Sequence, residues 1–205
     1  MFTGLIREMA TVVSFSNNIL TLKANYVPKI GDSIAINGAC LTAVKIGNGN
    51  FSVELSPESQ KTLAMENYKG AVHMEPAMMM GDRFEGHIVQ GHVDCIGTVK
   101  SIKNNGNSVD FFIAIPSEYL RYVIPKGSVT VDGVSLTINE VLKDSFRLTI
   151  IPHTVNNTLF KDYKVNSKVN IETDMFARYI FNMFKGQNSD DKLSWNDVDK
   201  VMYNY

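Results

Sequence analysis

The sequence predicts an all-β fold: two tandem, homologous six-stranded barrels of Greek-key type, followed by a C-terminal α-helix. Three features predict it. One pattern occurs twice, both halves read as short alternating stretches cut by turn residues, and apolar residues at helical spacing follow the second half.

Residues 33–42 read Ser-Ile-Ala-Ile-Asn-Gly-Ala-Cys-Leu-Thr, and residues 128–137 read Ser-Val-Thr-Val-Asp-Gly-Val-Ser-Leu-Thr. Ser33, Gly38, Leu41 and Thr42 thus return as Ser128, Gly133, Leu136 and Thr137, and the exchanges between them keep character. Downstream, Phe51 and Pro57 return as Phe146 and Pro152, and His73-Met74-Glu75 falls on Asn170-Ile171-Glu172. Upstream, Gly4, Thr11, Val12 and Ser14 return as Gly91, Thr98, Val99 and Ser101, with loop insertions absorbing the change in spacing. A match spread over a whole half-chain means two copies of one domain. The division expected is 1–86 and 87–172, with 173–205 as helix and tail.

In the first half, strands are expected over 10–15, 19–24, 33–36, 40–46, 51–55 and 71–75. Gly47-Asn48-Gly49-Asn50, and Asn104-Asn105-Gly106-Asn107 in the second half, are hairpin signals, because Asn and Gly tolerate positive φ. Short strands at this spacing argue a small closed barrel, which leaves no exposed sheet edge. Pro57 and Pro152 suit the first turn of a short helix. After the second half, Met175, Phe176, Tyr179, Ile180, Met183 and Phe184 form an apolar helical stripe, with Thr173 or Asp174 as cap and Gly186 as stop. The stripe either packs on its own barrel or joins subunits. The second is the expectation, because the first half has no equivalent helix. In the tail, Trp195, Val198, Met202 and Tyr205 keep helical spacing.

Composition narrows the function. With 205 residues, 44% hydrophobic, 20% charged and a net charge of −1, the chain lacks the basic footprint of a nucleic-acid or anionic-membrane binder. No run reaches the roughly 18 apolar residues of a membrane span, and the start carries no secretory signal, so a cytoplasmic protein is expected. Cys40 and Cys95 have neither zinc-site spacing nor the numbers of a disulfide framework, and are expected as free thiols.

The repeated motif suggests two similar ligand pockets. A glycine lets the chain approach a flat ligand, and Cys40 and Thr42, matched by Ser135 and Thr137, offer a thiol or hydroxyl beside it. His87 and His92 are oddly spaced and do not share a strand face, which argues against a metal site. His92 stands where the first half has Leu5, and is a candidate for proton transfer. His73 is expected at the surface, and His153 near the second pocket. Lys126 occupies the place of Gly31, and its charge could hold a polyol, a phosphate or a ring oxygen.

With these residues assembled, the chain resembles the riboflavin synthase family over about residues 1–185. The carrying motifs are Met1-Phe2-Thr3-Gly4-Leu5-Ile6, Asn37-Gly38-Ala39-Cys40-Leu41-Thr42, Gly86-His87-Ile88-Val89-Gln90-Gly91-His92-Val93, Lys126-Gly127, Asp132-Gly133-Val134-Ser135-Leu136-Thr137 and Ile151-Pro152-His153-Thr154. The resemblance implies two lumazine-binding barrels and a dismutation. Two molecules of 6,7-dimethyl-8-ribityllumazine exchange a four-carbon unit, giving riboflavin and 5-amino-6-ribitylaminouracil without metal or redox cofactor. It implies a homotrimer, with the site between the N-terminal barrel of one subunit and the C-terminal barrel of its neighbour and the helix as trimer contact. It leaves association with lumazine synthase open.

The residues implied for the first pocket are Gly4, Leu5, Ile6, Cys40, Leu41, Thr42, Glu54, Leu55, Ser56, Pro57, Glu58 and Ser59. Those for the second are Gly91, His92, Val93, Lys126, Ser135, Leu136, Thr137, Ile150, Ile151, Pro152, His153, Thr154 and Val155, with Phe2 and Thr3 closing the site. The reaction needs a methyl proton removed from one lumazine and a nucleophile added to the other. The catalytic candidates are His92, Ser135, Thr137, Cys40 and Ser33. Ser59-Gln60-Lys61-Thr62 departs from the family's usual Thr-Leu-Arg after Glu58. The rival within this fold is a non-catalytic lumazine or flavin carrier of the antenna type. Such carriers keep one good pocket, whereas here both halves retain theirs.

Overall fold

The computed structural model describes residues 1–185. The first half forms β1 (Glu8–Ser16), β2 (Ile19–Lys23), β3 (Ser33–Ile36), β4 (Ala39–Ile46), β5 (Asn50–Glu54), a short α1 (Pro57–Thr62) and β6 (Ala71–Pro76). These strands close in the order β1-β2-β5-β4-β3-β6, all pairs antiparallel. The expected strands lie within two residues of the observed ones. The second half repeats the plan with β7 (Cys95–Asn104), β8 (Val109–Ala114), α2 (Ser117–Leu120), β9 (Ser128–Val131), β10 (Val134–Val141), β11 (Ser145–Ile150), α3 (Pro152–Asn157) and β12 (Lys168–Thr173). Its ring, β7-β8-β11-β10-β9-β12, is the same ring one copy later.

Even the irregularities repeat. Bulges fall between Val12 and Ser14 on β1 and between Val99 and Ser101 on β7, and again between Ala43 and Lys45 on β4 and between Ile138 and Glu140 on β10. An extra residue sharpens the local twist and lets a small sheet curl shut. Inside, alternate residues fill each barrel. Leu20, Leu22, Ile34, Phe51, Val53 and Met74 pack the first, and Val99, Ile113, Val131, Phe146, Leu148 and Ile171 the second. The equivalent Phe51 and Phe146 are both fully buried. Burial of one such ring stabilises by about 1.5–3 kcal/mol.

The two motif glycines serve the fold. Asn37-Gly38 turns β3 into β4 with φ of 44° and 81°, and Asp132-Gly133 turns β9 into β10 with 45° and 82°, the positive-φ pair of a tight hairpin. The two tips abut: a Cβ on Gly38 would lie 2.6 Å from the Gly133 nitrogen, and one on Gly133 would lie 2.8 Å from the Gly38 nitrogen. The expectation that this glycine admits a flat ligand is therefore corrected. It admits the other barrel.

Around the tips lies a buried polar seam. The Asn170 side-chain amide donates to the Asn37 carbonyl at 2.8 Å and accepts the Ala64 N–H at 2.7 Å. In the other copy, His73 Nδ1 bonds the Asp132 carbonyl at 2.8 Å, and Nε2 accepts the Leu159 N–H at 2.8 Å. A carbonyl only accepts and an amide N–H only donates, so the ring is the neutral Nδ1–H tautomer. His73 is 1% exposed, which corrects its expected place at the surface. Strand alternation turned it outward as read, but the other barrel, not water, covers that face. Asp132 also accepts the Asn170 N–H at 2.7 Å and the Tyr163 hydroxyl, while burial pushes its carboxyl up to about 7.

The last helix, α4 (Met175–Lys185), starts at Asp174, whose carboxylate accepts the Phe176 N–H at 2.8 Å. It docks on its own barrel through Phe181, edge-on to Tyr122 at 5.4 Å, and through Arg178, which donates to Asp94 at 2.8 Å and Gln90 at 3.0 Å. Phe176, Tyr179, Ile180, Met183 and Phe184 stay exposed, each more than half so. The Gly186 stop and the helical spacing from Trp195 to Tyr205 lie outside the described residues. Among the described residues no helix is long and apolar enough to cross a membrane.

Candidate functional site

The motif strands present alternate side chains outward. On β4, Leu41 and Ala43 point into the barrel while Cys40 and Thr42 point out; on β10, Ser135 and Thr137 take the equivalent places. Against each outer face runs an irregular arm. The two arms pair with each other at Phe2 and Val89, through bonds of 2.8 and 3.1 Å.

Each arm completes the barrel of the other half. The Gly91 carbonyl accepts the Cys40 N–H at 2.8 Å, and the Gly4 carbonyl accepts the Ser135 N–H at 2.8 Å. Val93 packs onto the first core and Ile6 onto the second. The resulting recess on the first barrel is lined by Ala39, Cys40, Leu41, Ser59, Thr62, Leu63, Gly91, His92 and Val93. The arms of the two pockets are thus exchanged relative to the sequence expectation: Gly91, His92 and Val93 belong with Cys40, and Gly4 and Ile6 with Ser135. The repeat aligns each arm with the barrel that follows it in the chain. It carries no information on the barrel the arm lies against.

A buried carboxylate holds each arm. Glu75, on β6, accepts the Thr3 N–H and hydroxyl at 2.8 Å each and the Gly4 N–H at 3.0 Å. Glu172, on β12, accepts the N–H groups of Gln90, Gly91 and His92 at 2.8, 2.9 and 3.1 Å. Burial pushes the Glu172 carboxyl up to about 7, while the amide bonds and the Arg178 guanidinium pull the other way. Burial likewise raises Glu75, opposed by the Thr3 and Gly4 bonds and the nearby Arg7.

On the second barrel, His87 Nδ1 lies 2.7 Å from Ser135 Oγ. Burial lowers the His87 pKa, partly offset by the Asp174 carboxylate. Sequence reasoning missed this pair, having weighed His87 only as a metal partner for His92. A signal was present in Gly86. Its φ is +91°, and a Cβ there would meet the Thr3 carbonyl at 2.3 Å and Ser135 Oγ at 3.3 Å, so the chain is bent to bring His87 to the serine.

The remaining candidates are placed unevenly. Phe2 is fully buried in the seam with Ala35 and Val89 instead of standing at a pocket mouth, and Thr3 is held by Glu75. Leu55 and Ile150 are core side chains, leaving only main-chain groups for a ligand. Ser56 caps α1 through the Ser59 N–H, and Glu58 faces Lys61 in an exposed pair at 3.2 Å. Ser33 pairs with Thr42 and lines a different recess, with Tyr26, Lys29 and Met79, so it is not brought to Cys40. Lys126 is exposed with φ of 64°, where Gly31 has 93°. Ile151, Pro152 and His153 are exposed at the start of α3, with Thr154 and Val155 half-buried behind them. Cys40 and Cys95 are both free, and burial pushes the Cys95 thiol up to about 12.

Comparison with known proteins gives the duplicated geometry its family. The family model described as Lumazine binding domain matches twice, over residues 3–77 and 90–174. Riboflavin synthase of Photobacterium phosphoreum is 43% identical over 100% of this chain and 98% of its own length. The chain belongs to the riboflavin synthase family. The Bacillus subtilis (strain 168) riboflavin synthase is 38% identical over 88% of each chain. Among solved structures, LumP complexed with riboflavin superposes with a TM-score of 0.76 at 19% identity, covering 85% of this chain and all of that one. That likeness speaks for the fold alone. As in its riboflavin synthase relatives, the duplicated barrel here is that of an enzyme.

Proposed function

We propose that the chain converts two molecules of 6,7-dimethyl-8-ribityllumazine into riboflavin and 5-amino-6-ribitylaminouracil. One lumazine gives up a four-carbon unit and the other takes it, so atoms balance without oxidant, reductant or metal. The observation that carries the reading is the doubled outer face: each barrel keeps its glycine arm, its buried carboxylate and a thiol or hydroxyl, at Cys40 and at Ser135. Two copies of one substrate call for two copies of one pocket.

In this reading the arms and strand edges present main-chain groups to the pyrimidinedione rings. His92 sits beside Cys40 and moves a proton at one ring; Ser135, paired with His87, stands at the other. Thr42 and Thr137 follow on the same outer faces. Much of the rate comes from holding two rings in register. The exposed stripe of α4 supports a homotrimer in which the N-terminal barrel of one subunit faces the C-terminal barrel of the next, with 1–86 and 87–172 as the lumazine-binding units and 173–205 as the C-terminal helix, a trimer contact, and tail. A cytoplasmic place follows from the chemistry of a biosynthetic enzyme.

Purified protein given lumazine alone is expected to develop riboflavin absorbance with no added cofactor. Lumazine that binds and stays unchanged would favour the carrier instead. His92→Ala is expected to slow turnover by about 10²-fold, the scale of general acid–base catalysis, while lumazine affinity changes little. Steady-state kinetics beside equilibrium binding checks this, and equal losses in both would make His92 a structural residue.

A further inference from the structure

We propose that Glu172 and Glu75 are positioning residues, each holding through main-chain amides the arm that walls one lumazine subsite. The proposal rests on the lumazine reading above. Glu172 is 2% and Glu75 4% exposed, and each occupies the same place on the last strand of its barrel. Neither carboxylate's bonds go to a neighbouring strand. Those of Glu172 go to three successive N–H groups, Gln90, Gly91 and His92, and those of Glu75 to Thr3 and Gly4.

The chain of bonds continues into the recess. Glu172 Oε2 accepts the Gly91 N–H, and the Gly91 carbonyl accepts the N–H of Cys40 on the other barrel. His92, the next residue, is held at its own N–H by the same oxygen, so the carboxylate fixes the backbone that carries the candidate proton carrier. Glu75 does the same for Gly4 and through it for Ser135. Only a carboxylate satisfies this arrangement. It accepts on both oxygens, whereas a glutamine would turn an NH2 group toward N–H donors on one side. The Glu172 arm has a further tie, since Arg178 on α4 donates to the Gln90 side chain at 3.0 Å and to Asp94 at 2.8 Å. Each barrel's last strand therefore sets the other barrel's subsite.

The test is a rapid-mixing titration with 6,7-dimethyl-8-ribityllumazine, read by fluorescence before turnover, on wild type, Glu172→Gln and Glu75→Gln, with steady-state turnover alongside. The two subsites are expected as two binding classes. Glu172→Gln should weaken one about tenfold and Glu75→Gln the other, on the scale of charge-assisted bonds lost from an arm, each with a tenfold or greater loss of kcat. Glu172→Asp keeps the charge but retracts it by one methylene, and should stay impaired. If Glu172→Gln does not fold, Arg178→Gln, which removes the partly exposed tie from α4 to the same arm, should weaken that class two- to threefold and spare the other. A purely structural role predicts a lower Tm with both classes and kcat per folded molecule unchanged, and that result overturns the proposal. Failure of wild type to make riboflavin would instead overturn the catalytic reading, while the binding classes still decide this one.

Discussion

Gly91→Ala is expected to lower turnover by about 10²-fold and stability by several kcal/mol. Gly91 has φ of +78°, and a Cβ there would stand 2.6 Å from Cys40 Cβ and 2.8 Å from the Cys40 nitrogen. The left-handed conformation costs an alanine about 1–2 kcal/mol, and the overlap adds about 1–3 kcal/mol. The contact involves main chain, so the arm itself must withdraw, and a shift of about 1 Å in a positioning element can cost 10²-fold in rate. Gly106→Ala is the control. Its φ is +83° but nothing lies within 4 Å of its Cβ position, so only the conformational cost applies and turnover stays at the wild-type value. Equal turnover in the two variants, measured beside urea midpoints, would contradict the arm's role.

The second large effect is acid destabilisation through His73. Burial lowers its pKa from 6.5 to about 4, against the opposing bond to the Asp132 carbonyl. Above pH 6.5 neither folded nor unfolded chain protonates this ring, and the seam is intact. As pH falls from 6.5 toward 4 the unfolded chain takes up a proton that the folded chain does not, so stability is lost across that window, by about 3 kcal/mol in all. Three buried carboxyls, Asp132, Glu172 and Glu75, act in the opposite direction. Asp132 and Glu172 are both pushed up to about 7, so the stability they contribute is present at low pH and is lost as pH rises through about 7. The His73 contribution is therefore isolated by difference. His73→Asn, which installs the side chain that Asn170 uses in the equivalent place, should lower the slope of stability against pH between 6.5 and 4 by about one proton relative to wild type. Urea unfolding at several pH values measures it, and identical slopes would refute it.

Much of the fold was legible because its signals are local. Alternation within a strand and Asn with Gly at a turn, as at 47–50 and 104–107, act over a few residues, and the duplication printed the strand pattern twice. The assembly of the two copies was not legible, for a physical reason. The arms pair through main-chain bonds between residues far apart in sequence, such as Gly91 with Cys40 and Phe2 with Val89, and a main-chain bond leaves no residue type behind. His73 shows the limit of alternation, which separates inward from outward but cannot tell water from a second barrel. Gly38 shows the same limit for glycine: the need for close approach was readable, and the approaching object was not. At the candidate site, Cys40, Ser135 and His92 were singled out through the repeat. His87 was missed because its bond to Ser135 joins residues 48 positions apart, which no local pattern shows.

Two lumazines are consumed together at two equivalent barrel faces in the proposed reaction, and product stoichiometry tests this most directly. With 6,7-dimethyl-8-ribityllumazine as sole substrate, one riboflavin and one 5-amino-6-ribitylaminouracil should appear for every two lumazines lost. Lumazine bound but unconsumed, or riboflavin formed one for one without the uracil, would contradict it.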